Sequence, residues 1–191
     1  MSQDFESLHK THEKWNKALT EFNTNKIMSF IAEQKGPEYF IGEDRMICLH
    51  STLFAVNDAL KEADDINYVL PDVVKASSGL VGGLWTSQGS CGIVIAAGIL
   101  ISMKYGTSDP RDYAGRHATG ARTREFYHWF KNEFDSCTCC DLALVNDWGD
   151  QKQGEGYNEN RRTFCSEVLG KTVRRLVDIL TVDNPNVVRY V

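Results

Sequence analysis

The spacing of apolar positions predicts helices along most of the chain. Phe5, Leu8, Trp15, Leu19 and Phe22 recur at intervals of three, four and seven within residues 3–34, with Lys and Glu on the opposite face. Lys35-Gly36-Pro37 reads as a break. Between Gly42 and Asp65, Met46, Leu49, Leu53, Val56 and Leu60 again repeat every three or four residues, and Cys48 and His50 lie in this stretch. Pro71 opens a short apolar helix or turn to Ala76, where a missing amide hydrogen costs little.

Four glycines between Ser77 and Ser90 argue against a regular helix there, since each costs about 1 kcal/mol relative to Ala. Ser90 is placed to cap an apolar helix starting at Cys91, whose Gly92, Ala96, Ala97 and Gly98 let another backbone approach closely. Lys104-Tyr105-Gly106 supplies a cationic last turn and a glycine stop. A further helix is expected from Pro110 to Phe134, packing through Tyr113, Phe126, Trp129 and Phe130, with its centre weakened by Gly115 and Gly120. Asn146 to Asn160 is polar and glycine-rich, a surface loop. Arg161 to Val182 closes the series, with Phe164, Val168, Val173, Leu176, Ile179 and Leu180 on one broad face. No alternating strand run and no internal repeat are present. The expected fold is all-α, a bundle of about five to six helices with long loops.

Composition narrows the function. A chain of 191 residues, 42% hydrophobic and 25% charged, suits one packed domain, residues 1–191, and excludes disordered or low-complexity material. A formal net charge of −5 disfavours nucleic acid as a partner. The polar start MSQDFESLHKTHEKW lacks the apolar run of a signal peptide, so a cytoplasmic protein is expected. The longest apolar stretch, Cys91 to Met103, has 13 residues where a bilayer needs about 20, so it reads as a core helix rather than a membrane span.

Six cysteines are then the informative feature. In a reducing compartment they point to reactive or metal-binding roles rather than disulfides. Cys48 falls inside a helix, Cys91 in the first turn of one and Cys165 near the start of another, while Cys137, Cys139 and Cys140 follow a helix end. A helix N-terminus favours thiolate, the form required for both metal binding and thiol exchange. The intervals are long: 43 residues from Cys48 to Cys91, 48 to Cys139 and 26 more to Cys165. Such spacing suits a bundle that brings one side chain from each helix to a common point. No C-x-x-C-H is present, which excludes covalent haem.

The order of Cys48-Leu49-His50, Gly82-Gly83, Cys91-Gly92, Cys139-Cys140-Asp141-Leu142 and Cys165-Ser166-Glu167 resembles the redox-active family named for its C_GCAxxG_C_C motif. It is also similar to the cysteine-rich part of split-Soret cytochromes. The resemblance covers about residues 40–182 and leaves an N-terminal helical extension, residues 1–38, outside it. Ile93 and Ala96 stand where the family carries its small residues. The resemblance implies electron transfer through an iron–sulfur cluster, [2Fe–2S] in preference to [4Fe–4S], with Cys48, Cys91, Cys139 and Cys165 as ligands. Cys140 or Cys137 can substitute for Cys139. It further implies a redox partner protein or oxidoreductase complex, and a homodimer.

Two other readings stand beside it. A thiol–disulfide oxidoreductase or redox sensor would attack with Cys91 and resolve with Cys139 or Cys140. A helical adaptor would bury its cysteines in the core or hold zinc. His50 lies two residues from Cys48, so on a helix the two side chains diverge by about 200° and do not share a metal. His9 and His12 read as a solvated face, as do Arg111, Arg116, Arg122 and Arg124 with His117, although these could dock an acidic partner. The segment around Gly82-Gly83 lacks a Walker Lys-Ser/Thr ending and is no nucleotide loop.

Overall fold

A computed structural model describes residues 29–30, 32–43, 46–64, 69–85, 87–145 and 159–181. The N-terminal stripe from Phe5 to Phe22 and most of the polar loop after Val145 lie outside these residues. Every extended regular element among them is a helix, as the periodicity requires. α1 covers residues 29–30 and 32–41. It is followed by α2 (Cys48–Asp64), α3 (Pro71–Ser77), a 3-10 turn (Ser78–Leu80), α4 (Val81–Leu84, a single turn whose Gly82 and Gly83 are not right-handed helical), α5 (Gly92–Tyr105), α6 (Tyr113–Phe134), α7 (Cys139–Val145) and α8 (Glu159–Thr181). None of these helices is long and apolar enough to cross a membrane.

The core forms where α2 lies between α5 and α8, with α6 covering α5. Leu49, Leu53, Val56 and Leu60 of α2 meet Ile93, Ala97, Leu100 and Ile101 of α5, and Leu169, Leu176 and Leu180 of α8. All are buried, each contributing roughly 1.5–3 kcal/mol if Leu- or Ile-sized. Phe126 and Phe130 anchor α6, with ring centroids 5.9 Å apart. The far end is tied by Tyr105, whose hydroxyl reaches the carbonyls of Ile179 and Leu180 at 3.2 Å.

Several sequence expectations are corrected. Lys35-Gly36-Pro37 does not break the chain: α1 runs through it. Gly36 is buried where a Cβ would overlap Leu169, so the glycine is the contact point between α1 and α8. Pro37 cannot donate to the Glu33 carbonyl, and that oxygen lies against Gly170, where a Cβ would be 3.3 Å away. Gly115 does not weaken α6. Its amide donates to the Asp112 carboxylate at 3.0 Å, and a Cβ on Gly115 would strike that carboxylate, so the glycine permits the cap. α6 accordingly starts at Tyr113 rather than Pro110. Finally, Cys91 and not Ser90 is the N-cap of α5.

Candidate thiol centre

The glycine-rich segment before α5 makes an unusual turn. Gly82, Gly83, Leu84 and Trp85 all have positive φ, from 47° to 70°. Left-handed backbone is unfavourable for residues with a Cβ, so Gly82 and Gly83 carry the entry to the turn. A Cβ on Gly83 would come within 2.7 Å of the Gly89 Cα. This close approach folds the segment back, and the Gln88 amide donates to the Gly82 carbonyl at 3.0 Å.

The folded-back segment then pairs with the chain after α6. The Cys91 amide donates to Cys137 O at 2.8 Å, the Cys139 amide to Gly89 O at 2.7 Å, and the Cys140 amide to Gln88 O at 3.1 Å. Ser90 and Thr138 form an isolated antiparallel bridge at its middle. Sequence reasoning missed this ladder, because it uses backbone groups of residues with no strand pattern. It also missed α7. There Asp141 N donates to Thr138 Oγ1 at 3.3 Å, a capping contact for which Thr138-x-x-Asp141 is the sequence signal. Ser136 reinforces it by donating to Asp141 Oδ2 at 3.0 Å.

Three cysteines thus stand at the starts of three helices. Cys48 is the first residue of α2, Cys91 caps α5 and Cys139 is the first residue of α7. They are brought together. Cys48 Sγ packs against Gly92, where a Cβ would be 2.9 Å from the sulfur. Cys139 is pinned by the ladder to Gly89, two residues before Cys91. Burial pushes the Cys91 thiol well up, and the neighbouring Cys48 and Cys139 push it further. The amides of Ile93 and Val94 at the start of α5 oppose this, and burial wins. A buried thiol of this kind is a poor nucleophile unless a cation is beside it.

The remaining cysteines differ. Cys137 is buried, its thiol 3.8 Å from the Tyr127 carbonyl, and burial pushes it up as well. Cys140 is half-buried at the α7 start. Cys165 is half-buried in the second turn of α8, because that helix begins at Glu159 rather than Arg161. Its helix packs along α2, which Cys48 opens. His50 sits 3.3 Å from Ser77 Oγ, and burial pushes it down.

In kind, this donor set fits an iron–sulfur cluster or zinc: soft sulfur donors converge, and Gly92 leaves room for one of them. In position the set is open. Among the described residues no group of three or more His, Cys, Asp or Glu side chains is arranged to hold a metal ion. Residues 46–179 match the family described as "Putative redox-active protein (C_GCAxxG_C_C)". No match was found among curated proteins or among solved structures. The matched span contains all six cysteines and the whole ladder that organises them, and the chain belongs to the C_GCAxxG_C_C family of redox-active proteins.

Proposed function

We propose that this protein transfers single electrons through an iron–sulfur cluster held by Cys48, Cys91, Cys139 and Cys165. The supporting observation is the gathering of thiols from three separate segments at the start of α5, with Cys48 against Gly92 and Cys139 laddered to Gly89. Four cysteine thiolates are the usual complement of such clusters, which supply a one-electron couple when bound. The protein's own part is to gather the sulfurs, exclude water from Cys91 and turn the α5 N-terminus toward them. The amides that face the Cys91 sulfur follow it, at Ile93 and Val94.

One observation favours a second reading. Because the Cys139 thiol neighbours that of Cys91, the two can instead cycle between dithiol and disulfide, with Cys140 as the alternative partner of Cys91. Protein purified without air separates the two. The cluster reading expects a brown protein with iron and acid-labile sulfide in equal amounts, and an electron paramagnetic resonance signal after reduction. A colourless, iron-free protein that forms a reversible disulfide at Cys91 favours the dithiol. Iron-free protein without reversible oxidation overturns both.

A further inference from the structure

The outer face of α6 carries an open groove that the thiol centre does not use. Its two basins, about 560 and 710 Å³, share Arg116, Gly120 and Arg124. Gly120 forms an open floor, since a Cβ there would meet nothing within 4 Å. Tyr113 and Tyr127 stand at opposite ends, 69% and 42% exposed. From Tyr113 to His128 the groove spans about 22 Å of helix at 1.5 Å per residue.

Its charge is one-sided. Among the described residues the only carboxylate lining it, Glu125, is already paired with Arg175 at 2.8 Å. Arg124 has no ion-pair partner among the described residues, and Arg116 lies over the Tyr113 ring, donating to Pro110 O at 3.3 Å. His117 and His128 add two further donors along the same wall. The other arginines of the sequence cluster are engaged elsewhere: Arg111 with Asp109, and Arg122 over the Tyr105 ring at 3.9 Å. This basic strip belongs to a chain of net charge −5, so it is a local reversal of sign.

The strip also leads to the thiols. Tyr127 lines the inner basin, its carbonyl is 3.8 Å from the Cys137 thiol, and Cys137 O receives the Cys91 amide. Resting on the redox reading above, we propose that this groove docks an acidic surface of the redox partner protein, with Arg116 and Arg124 as its anchors. The backbones of the two arginines are about 12 Å apart along the helix axis, and both side chains line each basin. An extended acidic surface meets both, and complementary charge chiefly accelerates association.

The test uses the whole protein, with Arg116→Glu/Arg124→Glu and Gly120→Trp as variants. In the first arm, a fluorescent twelve-residue oligo-glutamate peptide is titrated at low salt. Wild type binds it, binding weakens with added salt, and both variants lose at least tenfold in affinity. Undiminished binding in the charge variant overturns the proposal, as does equal competition by tripolyphosphate or preferential binding of duplex DNA. In the second arm, anaerobic protein is reduced by a reduced acidic ferredoxin and, separately, by dithionite. The charge variant is at least tenfold slower with ferredoxin and unchanged with dithionite. Equal ferredoxin rates overturn the docking proposal. Failure of dithionite to reduce either protein overturns the redox reading instead, and docking is then decided by the peptide arm.

Discussion

Gly92 leaves the Cys48 sulfur its place: a methyl group on Gly92 would stand 2.9 Å from Sγ and 3.5 Å from Leu49 Cβ. The residue after Cys91 therefore sets how closely α5 approaches the start of α2. Side-chain loss and close approach are linked here, because the glycine that brings the helices together also brings the sulfurs together.

Gly92→Ala should separate packing from chemistry. Alanine is favoured over glycine in a helix by about 1 kcal/mol, which offsets part of the crowding. Stability in urea should change by no more than about 1–2 kcal/mol. Iron content of anaerobic protein should nevertheless fall, with Cys48 displaced. Full iron retention would show that Cys48 is not gathered with Cys91.

Gly83→Ala meets backbone rather than a flexible side chain. At φ +70° the added Cβ would come within 2.7 Å of Gly89 Cα. We expect a loss of at least about 2 kcal/mol in denaturant unfolding, in the range of strain and overpacking together. Because Gly89 O accepts the Cys139 amide, alkylation of Cys91 should also become faster.

Tyr39 gives the clearest pH signature. Its hydroxyl donates to the Asp58 carboxylate, and that bond with burial pushes the phenol up to about 12. A raised folded value means that the stabilisation is complete below the unfolded value near 10 and is lost as pH rises through about 12. The stability advantage of wild type over Tyr39→Phe should therefore shrink between pH 10 and 12. A constant difference across that window would contradict the hydrogen bond.

Cys165→Ser and Cys48→Ser should each lower iron per chain in anaerobic preparations. Serine at Cys48 replaces a sulfur already packed at the centre, whereas Cys165 reports whether α8 contributes the fourth ligand. Full iron in both variants would move the ligand set to Cys137, Cys139 and Cys140.

Much of the fold was legible because α2 and α8 bury regular apolar faces, such as Leu49, Leu53, Val56 and Leu60, while α5 is apolar almost throughout and α6 is anchored by Phe126 and Phe130. The α1 break was misread because Gly36 and Pro37 are helix breakers in isolation, while packing against Leu169 and Gly170 overrides that preference. The choice among Cys137, Cys139 and Cys140 was not legible. It depends on which backbone groups pair across the Ser90–Thr138 bridge, and hydrogen bonds between irregular segments leave no periodic trace. The ladder places Cys139 opposite Gly89 and turns the Cys137 thiol toward Tyr127.

The account rests on sulfurs from distant parts of the chain sharing one place. Treating reduced, metal-free protein with phenylarsine oxide, which bridges only neighbouring thiols, and mapping the arsenic by peptide mass spectrometry tests this directly. The prediction is one arsenic linking Cys91 to Cys48 or Cys139. Arsenic confined to Cys137, Cys139 and Cys140, with Cys48 and Cys91 each free for separate alkylation, would contradict it.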